Sequence, residues 1–351
     1  MSVQEMKPAG GPDSSGASDT PREASAPDNQ NPVEAFSPPF RPAWWLPGAH
    51  LQTIVPNLLR LRRGPMRRRN ALTLPDGDFM TIDWGPDPGG PLVLILHGLA
   101  GSSHSAYAQT LMRALHAQGF WPGVVHFRGA SGEPNRKLRS YHMAESADPA
   151  FVLGEIARKY NRRRLAAIGI SLGGSALLHA LAEHQSELKL SCAVAVSVPF
   201  DLHASSEHLN RGFSKLYQQY ILRHLKRQLR AKCRMLARPD LCDSLHRTWT
   251  FRDFDSRYTA PTHGFADVDD YYTRASSRGV LNRITTPTLI IQSRNDPFLP
   301  QSSIPDPTEL SASIQMEVHD KGGHVGFIEH WGRSYLARRI PAFISQFTRT
   351  T

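Results

Sequence analysis

Leu165-Ala166-Ala167-Ile168-Gly169-Ile170-Ser171-Leu172-Gly173-Gly174-Ser175-Ala176-Leu177-Leu178 is the stretch that decides the architecture. Its first four residues are a short apolar run, the pattern of a strand buried on both faces. From Ser171 onward the residues are small or apolar over a helical length. The chain therefore passes from strand to helix across Gly169-Ile170-Ser171-Leu172-Gly173. Gly-x-Ser-x-Gly alone is a weak five-residue pattern. Between a buried strand and a helix it is a turn tight enough to strain the serine backbone and lift its hydroxyl above the sheet. Gly169 and Gly173 are then required, because side chains there would collide with the neighbouring strand and helix. A helix N-terminus beside the hydroxyl favours developing negative charge. Ser171 is the candidate nucleophile.

Working outward, short continuous apolar runs alternate with helical stretches. Strands are predicted at 92–97, 122–127, 165–170, 191–198, 287–292 and 314–318, and helices near 104–118, 147–160, 172–184 and 331–347. Strands buried on both faces and separated by helices mean a mostly parallel sheet with helices on both sides. Ahead of them, Leu72-Thr73-Leu74 and Phe79-Met80-Thr81-Ile82-Asp83-Trp84 flank an Asp-Gly turn and read as a hairpin, an antiparallel edge. Residues 200–283 break the alternation and read as a lid insertion. It holds a long amphipathic helix with apolar positions Phe213, Leu216, Tyr217, Tyr220, Ile221, Leu225 and Leu229, opposite Lys215, Arg223, Lys226, Arg227 and Arg230. Residues 1–38 are rich in turn formers and poor in aromatics, which predicts a disordered tail before a folded domain over 39–351.

A serine hydroxyl needs a base to take its proton and an acid to orient that base, in the chain order Ser, Asp or Glu, His for this architecture. The strand ending at Ile291 leads into Gln292-Ser293-Arg294-Asn295-Asp296-Pro297-Phe298, which puts Asp296 at a strand's C-terminal end. The next strand leads into Asp320-Lys321-Gly322-Gly323-His324, whose glycines let His324 reach across the top of the sheet. Asp296 and His324 are the candidate acid and base. His319 points sideways from a strand, Asp306 and Glu309 lie away from a strand end, and His330 starts the last helix. The oxyanion needs two backbone N–H groups. Leu172 supplies one as the residue after the nucleophile, and Leu99 supplies the other from the loop His97-Gly98-Leu99-Ala100-Gly101. His97 has a loop-ordering role.

The chain of 351 residues carries a net charge of +10. Residues 1–40 hold two basic and six acidic residues, so the charge sits in the remainder, concentrated at Arg60–Arg69 and Arg211–Arg238. Such fields suit anionic partners, but Leu61-Arg62-Arg63-Gly64-Pro65-Met66-Arg67-Arg68-Arg69 lacks the interleaved aromatics that nucleic-acid binding wants. No apolar run reaches the length of a membrane span, and no signal peptide is visible. The three cysteines, Cys192, Cys233 and Cys242, are odd in number and fit no zinc spacing. They are expected to be unpaired thiols, one buried and two on the surface or lid, in a cytoplasmic protein. No metal or nucleotide motif is present, so no cofactor is expected.

Beyond the triad pattern, several stretches coincide with a known group. They are His50-Leu51-Gln52-Thr53-Ile54, His97-Gly98-Leu99-x-Gly101-Ser102, Phe127-Arg128-Gly129-x-Ser131-Gly132-Glu133-Pro134-Asn135-Arg136, Ser140-Tyr141-His142 and Gly322-Gly323-His324-Val325-Gly326. On these the chain resembles the YheT-like group of α/β-hydrolases over about residues 36–348. The resemblance implies a Ser171–Asp296–His324 triad and carboxylic ester hydrolysis or acyl transfer, with acyl esters or lipids as substrates. An alcohol in place of water would make an acyltransferase, and a broken triad would mark a non-catalytic binding scaffold, but no member is missing. On this reading the apolar face of helix 213–229 lines an acyl pocket while its basic face meets an anionic membrane surface.

Overall fold

The computed structural model of the chain describes residues 39–58, 68–243 and 245–348. The tail expected over residues 1–38, and most of the arginine cluster starting at Arg60, lie outside the described residues.

One sheet is built from β1 (Arg68–Thr73), β2 (Phe79–Trp84), β3 (Leu92–Leu96), β4 (Trp121–His126), β5 (Leu165–Ile170), β6 (Cys192–Val196), β7 (Thr288–Ser293) and β8 (Ile314–His319). Across the sheet the order is β1-β2-β4-β3-β5-β6-β7-β8. β2 pairs antiparallel with β1 and β4, and every later pairing is parallel. The helices are α1 (Gly48–Leu58), α2 (Ala106–Ala117), α3 (Ala147–Lys159), α4 (Leu172–Glu183), α5 (Leu202–Leu209), α6 (Ser214–Met235), the short α7 (Asp240–Asp243), α8 (Phe251–Phe254) and α9 (Ala260–His263), then α10 (Val268–Ala275) and α11 (Tyr335–Thr348).

Every residue of β3, β5, β6 and β7 is buried, which is why these runs are apolar without alternation. Successive side chains leave opposite faces of the strand. Leu92, Leu94 and Leu96 pack with Val152, Leu153, Leu177 and Leu181 of α3 and α4. Val93 and Ile95 pack with Leu111 and Leu115 of α2 and Ile340 and Phe343 of α11. From β3 the chain steps to β4 on one side and returns to β5 on the other. That reversal opens a crevice at the C-terminal ends of adjacent β3 and β5, where the Leu99 loop and Ser171 meet.

The stretch Phe127-Arg128-Gly129 to Asn135-Arg136 has a structural task. Asp78, fully buried at the hairpin turn, accepts from Asn135 Nδ2 at 2.6 Å, from the Arg136 N–H at 2.8 Å and from Arg128 Nη1 at 3.1 Å. Burial alone would raise this carboxyl; the donors outweigh it and hold its pKa below the usual range. Arg128 also forks onto Asp148 at 2.5 and 2.7 Å. The motif thus ties the β1–β2 hairpin to the loop after β4.

Helices α5 to α10 lie between β6 and β7 and carry apolar clusters of their own, one around Leu222, Leu229, Phe254 and Tyr258, another around Phe265, Tyr271 and Tyr272. α6 is turned relative to the sequence expectation. Its buried residues are Ser214, Gln218, Leu222, Leu229, Lys232 and Cys233, while Phe213, Leu216 and Tyr220 face solvent. The reason is that polar groups on the inward side find partners. Ser214 Oγ donates to the Pro297 carbonyl at 2.6 Å, and Gln218 donates to Asn210 Oδ1 at 2.8 Å and accepts the Phe251 N–H at 2.6 Å. Polar residues with such partners are accepted in the interior, so the apolar spacing puts Leu229 correctly on the buried side but misplaces Phe213, Leu216 and Tyr220.

The expectation of three unpaired cysteines is also corrected. Cys233 and Cys242 are joined in a disulfide, and Cys192 alone is free and buried. After α6 the chain reverses through Ala237, whose φ is +52°, and Pro239. That brings the two cysteines to a Cα–Cα separation of 6.4 Å, within bridging range. The reading of a reducing compartment from unpaired thiols loses its premise.

Lys232 donates to the Leu138 and Arg139 carbonyls at 3.1 and 3.0 Å. Burial pulls its pKa down from 10.5 to about 7. Between these values the unfolded chain holds a proton that the folded chain lacks, so stability rises with pH across that window and this slope vanishes below it. Lys232→Met is expected to flatten the rise in urea midpoint between neutral and alkaline pH. A slope equal to the parent's would refute the assignment.

Candidate active site

Ser171 closes the turn between β5 and α4 with φ +53° and ψ −116°, a conformation L-residues seldom adopt. Its N–H donates to the Val196 carbonyl at 2.8 Å, anchoring the turn to β6. A Cβ at Gly169 would lie 2.4 Å from the Gly173 carbonyl oxygen, and one at Gly173 would lie 2.3 Å from that of Leu96. Both glycines are therefore dictated by backbone contact.

The acid and base come from further along the sheet. β7 is two strands from β5, about 10 Å at the usual strand spacing, so the groups after β7 and β8 must reach inward. Asp296, buried after β7, accepts the Phe298 N–H through Oδ1 at 2.8 Å and meets His324 Nδ1 through Oδ2 at 2.8 Å. A carboxylate only accepts, so the His324 proton sits on Nδ1. The Nε2 lone pair then faces Ser171 Oγ, 3.1 Å away. The structure thus places the three sequence candidates in one hydrogen-bonded chain. His319, Asp306, Glu309 and His330 lie outside it. His319 packs on Phe40 and Tyr335, Asp306 caps a short turn of 3₁₀ helix, Glu309 pairs with Arg278, and His330 is exposed.

The N–H groups of Leu99 and Leu172 border the same crevice; Gly98 approaches so closely that a Cβ there would lie 3.3 Å from Ser171 Cβ. Neither N–H has a hydrogen-bond acceptor among the described residues, the condition of donors kept for an oxyanion. His97 orders their loop. Its ring accepts the Phe127 N–H at Nε2, 3.3 Å, and donates from Nδ1 to the Gly98 carbonyl, 2.7 Å. Burial and the neighbouring His126 lower its pKa to about 3, so it stays neutral. Tyr107 and Tyr141 hydroxyls accept the N–H groups of Gly98 and Ala100 at 2.9 and 3.3 Å.

Sequence reasoning missed the groups that hold the base. The stretch His50-Leu51-Gln52-Thr53-Ile54 forms the middle of α1 and clamps the His324 loop. Thr53 Oγ1 accepts the His324 N–H at 2.9 Å while donating to the Ala49 carbonyl at 2.8 Å. Gln52 makes two bonds to the Ile328 backbone, at 2.8 and 3.1 Å. A Cβ on Gly326 would lie 2.0 Å from the Gln52 carbonyl oxygen. Asn295 Oδ1 accepts the Gly323 N–H at 3.0 Å, linking the acid and base loops. Phe298 stacks flat on His324, centroids 4.1 Å apart, and touches Tyr217 of α6. The available signal was the stretch itself, one of those on which the chain resembles a known group. A cleft reaching His324 is lined by Thr53, Pro56, Tyr107, Leu111, Val325 and Leu336, from α1, α2, the base loop and α11, with no residue of α6.

Thr53→Val is expected to lower kcat some 10- to 100-fold with little change in KM, because an unheld imidazole drifts from its near-attack position. Thr53→Ser restores it. A variant that loses only thermal stability would reduce Thr53 to packing.

A family model described as alpha/beta hydrolase fold matches residues 91–330. The chain is similar to YheT of Escherichia coli (strain K12), 39% identical over 321 residues covering 88% of this chain and 93% of that protein. It is similar to Phospholipase ABHD3 of Mus musculus, 27% identical over 319 residues covering 87% of this chain and 78% of that one. Among solved structures the Pyrococcus furiosus esterase Pf2001 superimposes with a TM-score of 0.55 at 15% identity, covering 81% of this chain and 93% of that chain, which bears on the fold alone. With an eight-stranded sheet, a serine elbow after β5 and a relative matched nearly end to end, the chain belongs to the α/β-hydrolase superfamily and to its YheT-like group.

Proposed function

We propose that the protein is a serine-dependent carboxylic ester hydrolase acting on acyl esters, lipids among them. The observation that carries this reading is the chain Asp296 Oδ2–His324–Ser171 Oγ, at 2.8 and 3.1 Å, beside two acceptor-free N–H groups. Ser171 Oγ attacks the acyl carbonyl as its proton passes to His324 Nε2. The carbonyl oxygen becomes an anion held by the Leu99 and Leu172 N–H groups. Asp296 stabilises the imidazolium, which returns the proton to the departing alkoxide, leaving an acyl-serine. Water, deprotonated by His324, then attacks the acyl carbon, and the acid leaves as Ser171 regains its proton. The phospholipase among the relatives supports an acyl lipid as the substrate class, and contact of basic α6 with an anionic membrane surface belongs to the same reading.

The test is labelling with a fluorophosphonate probe, followed by p-nitrophenyl esters of rising chain length. Labelling of the parent and not of Ser171→Ala, with rates that rise beyond acetyl, is the expected result. A parent protein that resists the probe defeats the hydrolase reading. Activity confined to acetyl esters defeats its lipid part.

A further inference from the structure

Most of the large apolar side chains left in water among the described residues are grouped; the two outside the group are Met235 at the end of α6 and Trp249, whose ring lies under Lys226. Trp44 (78% exposed), Trp45, Leu51 and Leu58 lie on α1 and the segment before it. Phe213, Leu216 (59%) and Tyr220 (59%) lie at the start and on the outward side of the first half of α6, and Trp331 is 91% exposed. Contacts join these segments into one surface. The His50 ring packs on Phe213 at 4.6 Å and its Nδ1 lies 3.0 Å from the Tyr217 hydroxyl, bridging α1 to α6. The Ala43 N–H donates to the Ile328 carbonyl at 2.9 Å and Trp45 lies against Gly332, bridging the segment before α1 to the Trp331 turn. The site lies among them. Phe298, stacked on His324, touches Tyr217, and α1 holds the His324 loop.

Charge continues where the apolar residues stop. Arg223, Arg227, Arg230 and Arg234 recur at helical spacing along the same outward side of α6, all exposed. None forms an ion pair with a described carboxylate. Elsewhere exposed arginines do so repeatedly, as in Arg158–Glu155, Arg211–Glu207, Arg252–Asp269 and Arg274–Asp270. A helix whose outward side is aromatic at one end and arginine-rich along the rest matches an interface that is apolar inside and anionic at its surface. Tryptophan and tyrosine with apolar bodies and polar edges suit the same boundary.

We propose that this face, formed by α1 with the segment before it, the outward side of α6 and the Trp331 turn, seats the protein on an anionic phospholipid bilayer, with the mouth of the Ser171 site toward the lipid. It rests on the lipid-ester reading of that site and names the physical state in which the substrate is met. It also replaces the expectation that the apolar residues of α6 line an acyl pocket: Leu216 and Tyr220 point outward and share a side with the arginines, while Leu225 and Leu229 pack inside the helical insertion.

Binding is tested on Ser171→Ala, which separates docking from turnover. Sedimentation with phosphatidylcholine vesicles, with and without phosphatidylglycerol, is expected to show binding at least tenfold stronger to the anionic set. Basic residues near such a surface strengthen partitioning roughly fivefold each, so Arg223→Glu/Arg227→Glu/Arg230→Glu should weaken it by more than 100-fold. Leu216→Asp/Trp331→Asn should weaken it at least tenfold. In the Ser171 background both sets should cleave a soluble short-chain ester at the parent rate, showing an intact fold. A protein left in the supernatant with anionic vesicles, or binding that neither set weakens, overturns the proposal. A dimer in solution that Leu216→Asp dissolves also overturns it, by giving the face to a second copy. Vesicle binding by a chain that cleaves no ester would leave docking standing and remove the hydrolase reading instead.

Discussion

Ser171→Ala is expected to lower kcat for a p-nitrophenyl ester by roughly 10⁶-fold, the loss seen when a triad nucleophile is removed. Removing the hydroxyl leaves the Leu99 and Leu172 donors in place, so a small residual rate over water remains. A second substitution at the same position separates chemistry from strain. The φ of +53° and ψ of −116° at Ser171 suit glycine and burden any residue with a Cβ. Such strain is worth about 1–3 kcal/mol, against which glycine loses about 0.5–1 kcal/mol through its freer unfolded state. Ser171→Gly is therefore expected to be inactive like Ser171→Ala but about 1 kcal/mol more stable than it. Urea unfolding of the two variants decides the matter. Equal stabilities would mean that the elbow stores no strain.

Asp296→Asn is expected to cost about 10⁴-fold in kcat, and the hydrogen bonds say why. Asp296 Oδ1 is committed to the Phe298 N–H at 2.8 Å. An asparagine keeps its carbonyl oxygen on that donor and turns its NH₂ toward His324 Nδ1. A donor facing Nδ1 drives the imidazole proton to Nε2, where it confronts Ser171 Oγ instead of accepting from it. The geometry survives and the base is lost. Nitrogen chemical shifts of His324 report the outcome: Nδ1–H in the parent, Nε2–H in the variant. Nδ1–H in both would refute this account.

How far the sequence could be read depends on the range of the interaction. β3, β5, β6 and β7 are legible because strands buried on both faces admit only apolar runs. Asp296 and His324 are legible as candidates because each follows a strand directly and the chain order restricts the choice. The orientation of α6 is not, since Ser214 and Gln218 are inward through partners at Pro297 and Phe251 that no local window contains. The Cys233–Cys242 bridge depends on a reversal through a non-glycine residue at positive φ, for which there is no compositional signal. Thr53 and Gln52 are the extreme case, with partners 271 and 276 residues away. The Arg128 stretch is conspicuous in sequence, yet its work is to fasten a hairpin, while Tyr141 downstream reaches the oxyanion loop.

The α1 clamp has a consequence for how the protein comes into being. Its two halves are made far apart in time: His324 follows Thr53 by 271 residues. At roughly 5–20 residues per second, Thr53 is translated tens of seconds before the loop it must hold. In the second half of that interval Ser171 and the proposed oxyanion donors Leu99 and Leu172 are already made, but His324 is not. Activity should therefore switch on late and abruptly during translation, when the last strand and α11 close the sheet, and a nascent chain carrying Ser171 should ignore a fluorophosphonate until then.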